Sequence, residues 1–212
     1  MRIATFNILH GRSLDDGLVN VDRLAAAVKS LDADVLGLQE VDRDQPRSMN
    51  ADLTSVAAEA MGAVDHQFVA ALSGTPGGTW MAATGDEQPG SASYGIALLS
   101  RLPVVSWRVV RLPALTRRVP VWFRGDRAPK IVGDEPRVAV AAVLEGPHGH
   151  FTVANTHLSF VPGWNVVQLR RLMRSLTGTR EPLVVMGDLN MDPRQAARVS
   201  RSCMAAIRVA RS

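Results

Sequence analysis

Apolar positions recur along this chain with two distinct spacings. Over residues 21–31 they recur every three or four residues, which predicts an amphipathic helix that Asn20 can cap. The same spacing predicts helices over residues 51–61 and 164–176. Shorter apolar runs predict strands at residues 3–9, 34–39, 67–72, 94–100, 104–112, 137–145, 150–155 and 183–186.

Two polar segments between these elements are predicted to be loops. Residues 42–50 contain a proline, and residues 73–93 are rich in Gly, Thr, Ser and Pro. The early strands alternate with helices, whereas the middle of the chain is a run of strands. This order favours an α/β or α+β sandwich over a doubly wound sheet. No internal repeat or domain linker interrupts it.

The composition is that of an ordinary soluble globular protein, with 46% hydrophobic and 21% charged residues among 212. Cys203 is the one cysteine, which excludes an intrachain disulfide and a cysteine-rich metal site. The N-terminus has no secretory pattern, and the apolar runs are far shorter than the roughly 20 residues of a membrane span. We therefore expect a cytoplasmic monomer without a transmembrane segment.

The charge balance is mildly basic. Twenty-four Lys and Arg face twenty Asp and Glu, for a formal net charge of +4. Between residues 101 and 137 the basic side chains are interleaved with Trp107, Trp122 and Phe123, a combination that suits nucleic acid. The alternative is that the arginines line the outer face of a hairpin and the aromatic rings belong to the core.

Polar side chains close four of the predicted strands. Asn7, Glu40, His157 and the pair Asp188 and Asn190 each follow an apolar run. Because strand ends converge on one rim of a sheet, these side chains are candidates for a common site. Two carboxylates with amides and little sulfur or imidazole fit Mg²⁺ or Mn²⁺ better than Zn²⁺.

Five segments of the chain carry a family resemblance. They are Ile3-Ala4-Thr5-Phe6-Asn7-Ile8, Leu36-Gly37-Leu38-Gln39-Glu40-Val41-Asp42, Tyr94-Gly95-Ile96-Ala97-Leu98-Leu99-Ser100-Arg101, Asn155-Thr156-His157-Leu158 and Gly187-Asp188-Leu189-Asn190. In order and spacing they closely resemble the endonuclease/exonuclease/phosphatase superfamily, which includes enzymes like pancreatic deoxyribonuclease. The resemblance implies an α+β fold, a four-layer α/β/β/α sandwich, and metal-dependent hydrolysis of a phosphoester.

The resemblance also implies residue roles. Glu40 would be the principal metal ligand, with Asn7 beside it and Asp188 as a further ligand. Asp188 would also orient or deprotonate the attacking water. Asn190 would hold the phosphate and the water geometry, and His157 would donate a hydrogen bond to a phosphate oxygen.

Two arginines follow the candidate metal ligand in the predicted loop. Arg43 and Arg47 are candidate phosphate clamps, since a guanidinium can grip two phosphate oxygens at once. A solvated loop without contact to substrate is the alternative. The segment does not distinguish nucleic acid from other phosphoesters.

The resemblance weakens after Asp192. Family members end with a further strand and a Ser-Asp-His motif, but no Asp, Glu or His follows Asp192 here. We therefore expect a domain over residues 1–193 that lacks its last strand or strands. Residues 194–212 would form an atypical basic tail, either a helix or disordered. A chain truncated in this way is expected to be weakly active or inactive.

Three functions remain open on the sequence. The first is a Mg²⁺- or Mn²⁺-dependent phosphodiesterase or nuclease. The second is a phosphatase or phosphodiesterase that acts on small or lipid phosphates. The third is a catalytically inactive member that retains only binding.

Overall fold

The computed structural model describes residues 1–88, 90–122, 125 and 127–209, with the backbone alone for residues 204–209. Phe123 and residues 210–212 of the predicted tail lie outside the described residues. The strands are β1 (Ile3–Asn7), β2 (Val35–Arg43), β3 (Asp65–Gly74), β4 (Trp80–Ala82), β5 (Ser93–Ser100), β6 (Val104–Leu112), β7 (Val119–Val121), β8 (Lys130–Val132), β9 (Arg137–Gly146), β10 (Gly149–His157) and β11 (Leu183–Asp188).

Within the described residues, four α-helices accompany these strands. They are α1 (Val21–Leu31), α2 (Leu53–Met61), α3 (Trp164–Ser175) and α4 (Pro193–Val209). Asn20 caps α1 as predicted, because its side chain accepts a hydrogen bond from the Arg23 amide at 3.0 Å. Asp52 caps α2 through the amides of Thr54 and Ser55. Gly62 ends α2 in the left-handed conformation that glycine adopts without strain.

Two mixed sheets form the centre of the molecule. The first has the order β1-β2-β5-β3-β4, with β1 and β2 parallel and its other pairs antiparallel. The second has the order β11-β10-β9-β6, with β10 and β11 parallel. Strands β7 and β8 form a small separate ribbon. The edge strands β1 and β11 lie against each other, so the two parallel pairs share one end of the sandwich.

Three apolar layers hold the sheets and helices together. Leu24 and Val28 of α1 pack with Leu36 of the first sheet. Val35 and Val153 belong to the layer between the sheets. The third layer lies between the second sheet and α3 and α4, and contains Ala139, Leu169 and Val199. These layers confirm the α+β, four-layer arrangement that the family resemblance implied.

A buried polar network joins the two sheets directly below their shared rim. The Asn155 amide nitrogen of β10 donates to the carbonyls of Leu38 and Ala97 in the first sheet, at 2.9 and 2.8 Å. Its oxygen accepts from Gln39 Nε2 at 2.7 Å. Gly37 makes this approach possible, since a Cβ there would lie 2.8 Å from the Asn155 side chain. The network fixes how the strand ends of one sheet face those of the other.

The structure corrects several predicted boundaries. The predicted loop 73–93 contains β4, and the predicted loop 42–50 begins inside β2 and contains the short 3₁₀ helix Pro46–Ser48. Strand β10 continues to His157 and β11 to Asp188, because their parallel pairing extends to that last residue pair. These extensions lie beyond the apolar runs, because the added residues are polar or, at Gly187, glycine.

The predicted basic tail is helical as far as the structure describes it. Helix α4 begins at Pro193, and Ala196 and Val199 are buried in the layer against α3. Of the two alternatives for residues 194–212, the helix is therefore the one observed up to Val209. Within the described ranges, no helix combines the length and the apolarity needed to cross a membrane.

Candidate active site

Two facing rims meet where the parallel strand pairs end. The first rim belongs to the first sheet and consists of Asn7, Glu40, Asp42 and Arg47. The second rim belongs to the second sheet and consists of Arg137, His157, Asp188 and Asn190. Asn7 pairs with Gln39 at the end of β1, and His157 pairs with Asp188 at the end of β10. Because parallel strands end on the same side, these pairings place the predicted polar residues together.

Asn7 joins the two rims. Its Nδ2 donates to Glu40 Oε1 at 2.9 Å and to Asp188 Oδ2 at 3.1 Å. Its Oδ1 accepts from the Leu9 amide at 3.1 Å, which sets the orientation of the amide group. One side chain of β1 thus holds a carboxylate from each sheet. In this orientation Asn7 Oδ1 faces the Leu9 backbone, and Nδ2 holds the two carboxylates together. A metal-ligand role for Asn7 stays a prediction.

Glu40 lies in an irregularity of β2. The register of β2 against β5 shifts between Gln39 and Val41, so Glu40 is an extra residue in the ladder. Its φ of 55° is in the left-handed region, which is strained for a glutamate. Such bulges redirect a side chain out of the regular alternation, and here the redirected carboxylate reaches Asn7. The Glu40 side chain is 21% exposed, which leaves it accessible to a ligand.

Asp188 ends β11, and the close approach of β10 requires the glycine that precedes it. Gly187 has a φ of 129°, and a Cβ there would lie 1.9 Å from the Thr156 carbonyl oxygen. Asp188 Oδ1 accepts from the Asn190 amide at 3.1 Å, which closes the turn after the strand. Asn190 Nδ2 in turn donates to the Leu158 carbonyl at 3.0 Å. The turn therefore holds Asp188 and Asn190 in a fixed mutual arrangement.

His157 is buried beside Asp188. Its Nε2 lies 3.7 Å from Asp188 Oδ2, which is longer than a hydrogen bond. Burial and then the positive charge of Arg137 lower the pKa of His157 to about 4, against the opposing influence of Asp188. The imidazole is consequently neutral near pH 7 and offers one N–H donor.

The predicted clamp Arg47 is held by a buried carboxylate. Its Nε and Nη2 donate to the two oxygens of Asp42 at 2.8 and 2.7 Å, and Ser48 Oγ donates to the same carboxylate at 2.9 Å. The guanidinium also lies over the rings of Trp80 and Tyr94, 5.9 and 5.4 Å from their centroids. Arg47 is thus near the cluster, but two of its donors are already engaged.

The structure does not bring Arg43 into the cluster. Its Nε lies 3.1 Å from Asp52 Oδ2, and its guanidinium lies 4.3 Å from the centre of the Phe68 ring. Phe68 packs against the layer under α1 and α2, so Arg43 points towards the helices rather than the facing rim. A phosphate-clamping role for Arg43 stays a prediction.

Three further residues near the site were not assigned roles from the sequence. His10 Nδ1 lies 4.0 Å from Glu40 Oε2, and burial and then Arg47 lower its pKa. Burial and then the Glu40 charge raise the pKa of Tyr94. Arg137 is 5% exposed at the start of β9. Tyr94 lies in a family-like segment, but no spacing in the sequence singles out His10 or Arg137.

The donor set suits a hard divalent cation that shares its coordination with a ligand. No group of three His, Cys, Asp or Glu side chains able to hold a metal is found among the described residues. What the rims offer instead is two accessible carboxylates, Glu40 and Asp188, held close by one amide. Mg²⁺ typically binds through one or two carboxylates, with water and substrate phosphate completing its shell. The residues present therefore fit such an ion.

Comparison with known proteins identifies the family of the chain. The model of the Endonuclease/Exonuclease/phosphatase family matches residues 4–203, and the chain belongs to that family, whose members hydrolyse phosphoesters. A family structure from Beutenbergia cavernae DSM 12333 is 26% identical with a TM-score of 0.64. The alignment covers 96% of this chain but 53% of that one, so the present chain spans about half of that relative.

Two other solved structures share the fold at lower identity. The mannosyl-6-phosphatase Bt3783 of Bacteroides thetaiotaomicron VPI-5482 is 17% identical with a TM-score of 0.57, over 94% of this chain and 69% of that one. The catalytic domain of human Nocturnin, solved with a bound sulfate anion, is 21% identical with a TM-score of 0.56, over 95% and 68%. A search of curated proteins found no match.

Proposed function

We propose that this chain is a phosphoester hydrolase that uses Mg²⁺ or Mn²⁺, most closely of the phosphodiesterase or nuclease type. The observation that carries the proposal is the bridge from Asn7 to Glu40 and Asp188, at 2.9 and 3.1 Å. An amide that holds two carboxylates from different sheets creates a concentrated negative charge. That charge suits a divalent cation, and the neighbouring neutral His157 suits an anionic substrate.

Glu40 and Asp188 would hold the cation, with Asn7 keeping the two carboxylates together. When bound, the cation would neutralise charge on the phosphate and stabilise the leaving oxygen. The Asp188 carboxylate would accept a proton from the attacking water, a contribution typically worth about 10²–10⁴-fold in rate. The overall reaction adds water across the P–O bond and releases an alcohol.

The second rim would hold the phosphoryl group. His157 is neutral near pH 7 because of its low pKa, so its N–H can donate to a phosphoryl oxygen without a charged imidazole being required. Asn190 is kept in place by the turn after β11 and would help to orient phosphate and water. These roles agree with those that the resemblance implied.

A nuclease-like substrate is favoured by charge. The net charge of +4 and the exposed arginines of the β6–β9 region suit a polyanion. Arg108 and Arg111 are exposed, and each also donates to a backbone carbonyl, of Ser175 and Ala70 respectively. Small or lipid phosphates remain the alternative substrates, and plasmid DNA compared with a phosphorylated sugar or lipid headgroup separates them.

The direct test is hydrolysis of bis-p-nitrophenyl phosphate by the 212-residue chain. We expect weak turnover that needs Mg²⁺ or Mn²⁺, stops with EDTA and falls at least about 10²-fold in Glu40→Gln. Glu59→Gln is the matched control, since Glu59 is exposed on α2, and should keep parental turnover. Turnover that survives EDTA or Glu40→Gln would refute the proposal. Mn²⁺ binding without turnover would instead support an inactive binding module.

A further inference from the structure

Arg137 is a buried cation whose hydrogen-bonding capacity is incompletely used. It is 5% exposed, and its Nε has no hydrogen-bond partner. Its ion pair with Glu135 is loose, with Nη2 and Oε2 3.7 Å apart. Arg47 on the first rim differs, because its Nε and Nη2 both donate to Asp42 at less than 3 Å. Two arginines of one site thus differ in how fully their donors are satisfied.

The chain places Arg137 at the second rim. Strands β9 and β10 are antiparallel, and Ala139 pairs with Thr156, so the first residue of β9 lies beside the end of β10 that carries His157. The positive charge of Arg137 also acts on His157 and on Tyr94 of the first sheet. The guanidinium therefore lies within electrostatic reach of groups on both sides of the site.

The loosely paired acid beside Arg137 is held by another residue. Glu135 Oε1 accepts from Trp80 Nε1 at 3.2 Å, and the Trp80 ring lies 5.8 Å from that of Tyr94. Glu135 is 38% exposed, so it compensates a buried charge only weakly. Glu135 thus hydrogen-bonds to Trp80 of the aromatic pair and pairs only loosely with Arg137.

A buried guanidinium with an unused donor is costly to folding unless something supplies the missing acceptor. Groups kept at such a cost are concentrated at functional sites. The planar Nε–H and Nη–H edge of arginine matches two oxygens of a phosphate. The unused donors of Arg137 therefore fit a tetrahedral oxyanion bound at the second rim.

We propose that Arg137 is a phosphate-binding residue of the site, which donates its unused Nε–H to a phosphoryl oxygen beside His157. This assignment rests on the proposed function for the identity of the ligand. It concerns anion binding alone and requires neither turnover nor a bound cation. It also predicts that Arg137 strengthens phosphate binding and lowers the stability of the folded chain.

The test measures inorganic phosphate binding to the full chain in EDTA, together with thermal stability. Arg137→Met removes the charge but keeps apolar bulk, and should weaken phosphate binding by about 10–100-fold. Its Tm should equal or exceed that of the parent, since an incompletely paired buried charge has been removed. Arg171→Met, at an exposed position of α3, is the control and should leave both quantities unchanged.

Arg137→Lys gives a second readout that does not depend on the first variant folding. It keeps the charge but loses the planar fork, so phosphate binding should fall by about tenfold with little change in Tm. Parental affinity in either folded variant would overturn the assignment, as would the absence of phosphate binding by the parent at millimolar concentration. A large fall in Tm in both variants would show that Arg137 serves the fold.

The outcome is distinguishable from that for the proposed function. Phosphate binding that depends on Arg137, in a chain without metal-dependent turnover, would support the Arg137 assignment and contradict the hydrolase proposal. Metal-dependent turnover with parental phosphate binding in Arg137→Met would support the hydrolase proposal and contradict the Arg137 assignment.

Discussion

The two rims of the site differ in how far hydrogen bonds engage their charged groups. On the first rim, each charged group makes at least one hydrogen bond: Arg47 and Ser48 donate to the buried Asp42 carboxylate, and Asn7 donates to Glu40. On the second rim, Arg137 keeps an unused Nε, and His157 lies 3.7 Å from Asp188 without a hydrogen bond between them. The charged groups of the first rim are thus engaged in hydrogen bonds, whereas the Arg137 Nε on the second rim is not.

This difference suggests a division of labour. Under the proposed function, the carboxylates that Asn7 holds where the rims meet would bind a cation, and the unused Arg137 donor on the second rim would bind an anion. The first rim would then act mainly as a scaffold that positions Glu40, and the second rim mainly on the substrate. Substitutions on the two rims should therefore separate stability from ligand binding.

The largest effect is expected at Asp188, where both rims depend on one carboxylate. Asp188→Asn keeps the shape but removes the charge that accepts from Asn7 and faces His157. Divalent-cation affinity should fall about 10–100-fold and turnover about 10²–10³-fold. Titration with Mn²⁺ and initial rates with bis-p-nitrophenyl phosphate measure the two. Asp22→Asn, at an exposed position of α1, is the control. Undiminished affinity would show that the cation does not bind where the rims meet.

The next effect tests the scaffold role of the first rim. Asp42→Ala leaves Arg47 and Ser48 without their acceptor, and breaking such a buried pair typically costs about 3–5 kcal/mol of unfolding free energy. Urea denaturation measures it. Asp16→Ala removes the exposed pair with Arg23 and should cost much less, because solvent screens that pair. Equal, small losses at both positions would remove the distinction between the rims.

Much of the fold and of the site could be predicted from the sequence, because both rest on local patterns. Apolar spacing located the main helices and strands, and polar residues after apolar runs located Asn7, Glu40, His157, Asp188 and Asn190. These side chains meet because β1 with β2 and β10 with β11 are parallel, so that each pair ends on the same rim.

What could not be predicted depends on contacts distant in sequence. Arg47 is drawn to Asp42, and Arg43 to Asp52 and Phe68, because sheet and helix packing decide which side each faces. Arg137 is the first residue of an apolar strand, and nothing in the sequence indicates that its charged side chain is buried. Strand β4 was predicted as loop because its three residues owe their conformation to pairing with β3. Such features follow from tertiary placement, which one-dimensional patterns do not contain.

The pH dependence of stability reports on the second rim. The pKa of His157 is about 4 in the folded chain, below its ordinary value of 6.5, because of burial and Arg137. The unfolded chain therefore binds the proton more readily, and folding stability should fall as the pH drops from about 6.5 to about 4. The loss is at most about 3 kcal/mol.

Urea denaturation of the metal-free chain across this range tests the prediction, with Asp188 and Arg137 as the charged groups that face the imidazole. His157→Gln should flatten the profile, whereas His150→Gln, at an exposed position of β10, should not. An unchanged slope in His157→Gln would mean that other groups set the acid sensitivity.

The smallest effect is expected at Arg43. This residue is close to Glu40 in sequence, but its side chain lies outside the site. Its pair with Asp52 is partly exposed, and its contact with Phe68 is a single cation–π interaction. Each is worth about 0.5–1 kcal/mol, so Arg43→Ala should lower stability only slightly and leave KM for bis-p-nitrophenyl phosphate nearly unchanged. A large rise in KM would mean that Arg43 leaves Asp52 to bind substrate phosphate. The first rim would then also contribute donors to the anion, and the division of labour between the rims would not hold.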